Sequence, residues 1–273
     1  MLKIVNCLRG ETGKDDCPTK LTQIDDGARV VELGPGAGAL SRVLVERYPK
    51  MLAIELDGRA VDLLADSLPG LTVLKSDVLQ VDYRAIAELR GGPLVIVGNL
   101  PYYITSQILF SFLDCAPAVR RGCVTMQWEV AQRLVAKPRT KDYGILSVVF
   151  QLYCKPVVNF KIPPTVFYPQ PKVDSAMVTV DFPPTREPFP VAAADLRRTI
   201  TTAFSQRRKM MRSSLKTLLI QEGVELPEEW GKRRPEELKP EEFLTLTEMI
   251  YGKKPERMEG ETRVWRHMKH GEW

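Results

Sequence analysis

Between residues 29 and 182 the sequence changes period repeatedly: short β-branched runs that suit strands alternate with stretches whose apolar residues recur at helical spacing. That alternation restricts the chain to an α/β fold in which helices carry it back to begin each new parallel strand, a doubly wound sheet. The predicted strands are RVVEL (29–33), MLAIEL (51–56), LTVLK (71–75), PLVIVG (93–98) and GCVTMQ (122–127). Two later runs, KPVVNFKI (155–162) and KVDSAMVTVDF (172–182), follow each other through a Pro-rich loop instead of a helix, so an antiparallel pair at the sheet edge is expected. A second proline-rich run, DFPPTREPFP (181–190), reads as a linker. Beyond it the β-branched runs stop, and LRRTITTAFSQ, KMMRSSLKTLLI and PEEFLTLTEMIYG keep helical period. The expected division is a divergent segment at 1–28, the α/β domain at 29–182, a small all-helical domain at 183–252 and a loosely held tail at 253–273.

Composition excludes several classes. A chain of 273 residues with 44% hydrophobic and 27% charged residues can bury a core without covalent staples. The five cysteines, Cys7, Cys17, Cys115, Cys123 and Cys154, form no C-x-x-C pair and read as reduced thiols, with no metal site expected. No run of 18 apolar residues exists, and the first residues lack an apolar segment with a small-residue cleavage site, so a soluble, non-secreted protein with no membrane partner is expected. The net charge of +5 says little by itself, but its distribution does. From Leu196 to Gln221 there are seven basic residues (Arg197, Arg198, Arg207, Arg208, Lys209, Arg212, Lys216) and no acidic one, between acid-rich flanks. On a helical pair they would form a phosphate-binding stripe, the alternative being a solvated helix face.

The segment VVELGPGAGALSRVL places Gly34, Gly36 and Gly38 directly after the first strand and at the start of a helix. Glycines there let a ligand approach the backbone, and the helix start offers unbonded N–H groups. Nineteen residues after Gly36, the second strand ends at Glu55, whose carboxylate is placed to accept both hydroxyls of a ribose. The pairing marks a nucleotide-like cofactor without choosing one, because Gly34, Gly36 and Ala39 also fit the G-x-G-x-x-G/A pattern of dinucleotide enzymes. Asp77, just past the third strand, tilts the choice toward a lone adenosine, since a carboxylate there can take an adenine amino group; a turn aspartate is its plainer reading.

Strand four ends in VGNLPYYITSQILF. Asn99-Leu100-Pro101-Tyr102 has the form of the Asn/Asp-Pro-Pro-Tyr/Phe motif of enzymes that methylate exocyclic amines of nucleobases. An adenine amine is a poor nucleophile because its lone pair is delocalised into the ring. The Asn99 side-chain oxygen and the Leu100 carbonyl can each accept one of its hydrogens and favour a pyramidal nitrogen. Pro101 restricts the loop, and Tyr102 offers a face for an extruded base. The plain alternative is an Asn-x-Pro turn with a buried tyrosine.

In matching order, ELGPGAGAL, AIELD, SDVL, GNLPYYITSQILF, QWEVAQRL, KDYGILSV, FYPQPKVDSAMV and FSQRRKMMRSSL resemble the ribosomal RNA adenine dimethyltransferase family, from about Arg29 to about Leu218. The resemblance implies a Rossmann-like class I methyltransferase sheet at 29–182 and a helical RNA-binding domain at 183–252. It implies S-adenosylmethionine as cofactor, with Gly34 at its methionine end, Glu55 on its ribose, Asp77 on its adenine and Asn99 where cofactor and target amine meet. Phe167 matches a family aromatic that closes on the base opposite Tyr102, and Glu129 falls in a family motif with a structural rather than catalytic reading. The implied activity is dimethylation of adenosine N6 in small-subunit ribosomal RNA, by a monomer acting within an assembling subunit. It would lie in the cytoplasm of a bacterium or in a mitochondrion or plastid.

Residues 1–28 depart from the family pattern, lacking its basic arm and its G-Q-N-F-L segment; Asn6-Cys7-Leu8 stands near the corresponding position and is given no role. That departure keeps in view an assembly or mitochondrial transcription factor that retained the fold and lost catalysis. Two enzymes also stay in view, a large-subunit methyltransferase and a dinucleotide oxidoreductase, the latter leaving Asn99 to Tyr102 without a role.

Overall fold

The computed structural model describes residues 27–253, except 117, and residues 264–265. The expectations for the amino-terminal segment, including Asn6-Cys7-Leu8, Cys7 and Cys17, lie outside those residues, as does most of the tail. The chain divides into two compact units. One holds the described residues up to Ala131 together with Lys155–Pro184, and the other holds Gln132–Cys154 with the described residues from Thr185 onward. The break at 184/185 falls beside the expected one, but the first unit is interrupted: residues 132–154 group with the later helices.

The first unit is a seven-stranded sheet. Its strands are β1 (Val30–Leu33), β2 (Leu52–Glu55), β3 (Thr72–Lys75), β4 (Leu94–Asn99), β5 (Val119–Gln127), β6 (Lys155–Ile162) and β7 (Ser175–Asp181), in the order β3-β2-β1-β4-β5-β7-β6. The pairs among β1 to β5 are parallel, and β7 runs antiparallel to both neighbours. Helices α1 (Ser41–Arg47), α2 (Gly58–Ser67), α3 (Tyr83–Leu89) and α4 (Thr105–Asp114) connect the parallel strands. The sequence places β6 and β7 as an antiparallel pair, and they are one, but only β6 is the edge. β5 starts earlier than expected because Arg121 enters the sheet: it is fully buried and pairs with Asp181, its register partner on β7. An unpaired buried guanidinium would be costly, and Asp181 supplies it with a counter-charge.

β1 is buried along its whole length, and Val30, Leu44, Ala53, Leu64, Val95 and Val97 join in one core at about 2 kcal/mol for each large aliphatic side chain. A Cβ on Gly98 would stand 2.7 Å from the Leu33 carbonyl oxygen, so glycine there permits the close approach of β4 to β1. The strand order reverses between these two strands, and in such sheets the crevice beyond their carboxyl ends is where ligands sit.

The second unit is helical: α6 (Ile145–Tyr153), α7 (Ala193–Ser205), the short α8 (Met211–Ser214), α9 (Lys216–Glu222), α10 (Glu228–Gly231) and α11 (Pro240–Tyr251). Helix α5 (Trp128–Leu134) spans the break between the units. Leu196, Ile200 and Ala203 of α7 and Phe243, Leu246 and Ile250 of α11 are buried, and the rings of Phe204 and Phe243 stack at 5.7 Å. In the tail, Trp265 is 2% exposed and its ring meets that of Tyr153 edge-on. Cys115, Cys123 and Cys154 are buried and not joined in disulfides, and among the described residues no cluster could hold a metal and no helix is long and apolar enough to cross a membrane.

Candidate active site

The glycine loop leaves β1 through three residues with positive φ: Gly34 (61°), Gly36 (55°) and Gly38 (78°). Gly38 packs closely, since a Cβ there would stand 2.8 Å from Leu64 of α2. Gly34 and Gly36 differ: a Cβ on either would meet none of the described residues within 4 Å. The Gly34 N–H donates to the Ile54 carbonyl (2.9 Å), and the Gly36 N–H donates to Oε2 of Glu55 (3.0 Å), which tie the loop to the end of β2.

Glu55 is buried, and its Oε1 accepts the N–H groups of Leu56 and Asp57 at 2.8 and 2.9 Å. A carboxylate has about four acceptor positions, and three backbone donors occupy all but one of them here. Asp77 is half-buried and makes a turn, its Oδ1 accepting the Leu79 N–H at 2.9 Å. Its second oxygen takes no hydrogen bond from the described residues, so the turn and a ligand contact are compatible.

Glu32, which the sequence reading passed over, lies beneath this loop and is 2% exposed. Burial pushes its carboxyl up to about 7, against a hydrogen bond from Ser41 Oγ (2.7 Å) and with a smaller upward contribution from the charge of Glu55. An acid inside the apolar run Val30–Leu33 was the available signal, since buried carboxyls need a partner.

At the end of β4, Asn99 is exposed, and its Oδ1 accepts a hydrogen bond from the Thr125 hydroxyl, its register partner on β5. The Leu100 N–H donates to the Thr125 carbonyl (3.2 Å), while the Leu100 carbonyl takes no hydrogen bond from the described residues. Thr125 thus orients two successive residues of the motif. Pro101 caps a one-turn 3-10 helix, Tyr102–Ile104, and its carbonyl accepts the Thr105 hydroxyl (2.9 Å). The Tyr102 hydroxyl lies 2.6 Å from Ser175 Oγ, where β7 begins. Phe167 stands half-buried on the β6–β7 connection that leads to Ser175. The carboxyl ends of β4 and β5 and the start of β7 therefore gather Asn99, Tyr102 and Phe167 at one end of the sheet, beside the glycine loop. Glu129 lies exposed in the first turn of α5.

In the helical unit the basic residues separate. Arg207 is spent internally: Nε donates to Glu236 (3.0 Å), Nη2 to the Thr140 carbonyl (2.7 Å) and Nη1 to the Lys141 carbonyl. Three of its five donors are thus engaged within the helical unit. Arg197 donates to the Val264 carbonyl, and Arg198 bonds to Glu222 and Gln221. Arg208, Lys209, Arg212 and Lys216 are exposed and have no ion pair among the described residues.

Residues 19–251 match the sequence family described as ribosomal RNA adenine dimethylase. The chain is 46% identical over 219 residues to ribosomal RNA small subunit methyltransferase A of Salinibacter ruber, covering 80% of this chain and 74% of that protein. It is 42% identical over 236 residues to the protein of the same name from Chlorobium chlorochromatii, covering 85% and 88%. Among solved structures, a dimethyladenosine transferase from Plasmodium falciparum shares the fold with a TM-score of 0.64 at 21% identity, covering 84% of this chain and 94% of that one. The 23S rRNA methyltransferase ErmE matches with a TM-score of 0.55 at 25% identity, covering 85% and 98%.

Proposed function

The chain belongs to the ribosomal RNA adenine dimethylase family, and from that membership we propose that it methylates the N6 amine of adenosines in small-subunit ribosomal RNA, using S-adenosylmethionine. The observation that carries the reading is the motif at the end of β4, where the exposed Asn99 amide and the Leu100 carbonyl stand beside a glycine loop at the strand-order reversal. Identity of 46% to a small-subunit enzyme, against 25% to a large-subunit one, favours the small subunit. Neither the assembly-factor reading nor the dinucleotide reading uses the Asn99 arrangement.

The cofactor fits the residues present. Gly34 and Gly36 back onto space that any side chain would enter, Glu55 keeps one acceptor position, and Asp77 keeps an oxygen for an amino group. When bound, S-adenosylmethionine supplies an electrophilic methyl group; the rest of the work is done by the chain. Asn99 Oδ1 and the Leu100 carbonyl each accept one amine hydrogen, holding the nitrogen lone pair in line for transfer. The Thr125 hydroxyl holds the Asn99 oxygen in place. Tyr102, anchored at Ser175, stacks on the extruded base, and Phe167 closes from the other side. The sheet unit is thus the catalytic part, and Arg208, Lys209, Arg212 and Lys216 of the helical unit grip phosphates. The protein works as a monomer on an assembling subunit, in the cytoplasm of a bacterium.

Labelled methyl transfer to unmodified small ribosomal subunits tests the reading. Incorporation is expected with the native protein and lost with Asn99→Ala. Incorporation that the substitution leaves unchanged overturns the mechanism, and none with the native protein overturns the function.

A further inference from the structure

We infer that Arg139, with Lys239, forms a second phosphate-binding site on the helical unit for the backbone of the ribosomal RNA, an inference that rests on the RNA substrate proposed above. Neither residue belongs to the basic run between Leu196 and Gln221.

Arg139 sits on the loop between α5 and α6 with φ at 67°, and among the described residues it is the one non-glycine with positive φ. Side chains rarely take that conformation, which glycine accepts readily. The loop is nevertheless built to hold it. The Arg139 N–H donates to the Glu236 carbonyl (2.7 Å), and the Thr140 hydroxyl donates to the Lys137 carbonyl (2.6 Å). From the other side, the Arg207 guanidinium clamps the Thr140 and Lys141 carbonyls. A connection needing only to turn would be served by glycine; this one fixes the backbone of an exposed arginine, as strained residues at binding sites are held.

The surroundings point to an anion. Arg139 and Lys239 line a cavity of about 690 Å³ together with Arg233, Glu237 and Glu242. Three cations face two acids there: Arg233 forks onto Glu242 (2.6 and 3.0 Å), and a Glu237 oxygen accepts the Arg234 N–H (2.9 Å). Arg139 and Lys239 are exposed and make no ion pair among the described residues, and the exposed Lys137 and Lys141 flank Arg139. The Arg207 clamp also brings this loop alongside Arg208 and Lys209, the next residues in the chain. The two cationic patches therefore adjoin, as a phosphodiester chain crossing both would need; an acidic protein surface would not require such a fixed, narrow placement.

The test is equilibrium binding of protein-free small-subunit ribosomal RNA by the full-length native protein, Arg139→Gly and Arg139→Lys across a salt series, with thermal unfolding of each. Arg139→Gly is expected to bind about 5- to 10-fold more weakly at low salt, with a log–log salt slope smaller by about one, and Arg139→Lys to recover most of that slope. The Tm of Arg139→Gly is expected to hold or rise, because glycine accepts the backbone conformation. Unchanged affinity and slope in Arg139→Gly overturn the site while leaving the RNA reading standing, and weaker binding with a lowered Tm also overturns it, since the loop has then come apart. Failure of the native protein to bind RNA overturns both.

Discussion

The glycine loop of the sheet unit and the basic loops of the helical unit, the two regions proposed to bind ligands, are built in two ways. In the first, backbone geometry does the placing: positive φ at Gly34 and Gly36, N–H groups donated to Glu55, and a motif lodged where β4 ends. In the second, side chains from distant segments do it: Arg207 reaches the carbonyls of Thr140 and Lys141, and Arg233 reaches Glu242. A surface made of backbone keeps its order along the chain. One made by long side chains does not, because a reach of several ångströms joins segments regardless of their separation in sequence.

The largest expected effect falls on the sheet unit. Asn99→Ala removes a polar group aimed at the reacting amine and should lower kcat by roughly 100-fold or more, with little change in Tm because the side chain is exposed. If the loss lies wholly in RNA affinity, the contrast between a chemical site and a gripping surface breaks.

The two units should next separate by pH. Glu32 has its carboxyl raised to about 7 by burial, so the stability it lends is full below about 4.5 and is lost as pH rises through 7. The whole swing is roughly 3 kcal/mol. Glu242 runs the other way: the hydrogen bond from Arg233 holds it below the usual carboxylate range, so its contribution is present near neutrality and fades as acid protonates it. Glu32→Gln should therefore raise Tm at pH 8 and not at pH 4, whereas Glu242→Gln should lower it at pH 8. Equal effects of Glu32→Gln at both pH values would contradict the burial argument.

Arg207→Ala should cost about 2 kcal/mol by chemical denaturation, a figure reduced because the residue is partly exposed. Arg207→Lys should restore little, since one ammonium cannot serve a carboxylate and two carbonyls together. Full restoration by lysine would show that charge alone matters there. A smaller stability effect than that of Arg207→Ala is expected at Gly36→Ala, about 1 kcal/mol from positive φ, yet its methyl would enter space that no described residue fills within 4 Å. Calorimetry with S-adenosylmethionine should find affinity about 10-fold lower; unchanged affinity would place the cofactor elsewhere.

Much of the sheet unit was legible in advance. The runs at 30–33, 52–55 and 94–98 are apolar because parallel strands are covered on both faces, and Gly34, Glu55 and Asn99 stand at their ends. Less was legible where partners come from elsewhere. Arg120 and Arg121 hid the start of β5, because nothing local says that Asp181 waits across the sheet. Thr125 drew no notice as the residue orienting Asn99, because strand register is set by pairing and not by composition. Arg207 looked like its neighbours Arg208 and Lys209, and only its three engaged donors distinguish it.

The sequence by itself determined the kind of sheet, the order of its motifs and the amine chemistry proposed for Asn99 to Tyr102, since these depend on periodicity and on residue types at the ends of strands. The tertiary structure decided which bonds each group already makes: three backbone donors on Glu55, one on Asp77, three of five donors engaged on Arg207 and an exposed side chain on Arg139. A side chain's identity sets what it can bond, but its availability depends on neighbours distant in sequence, and those are brought to it only by folding.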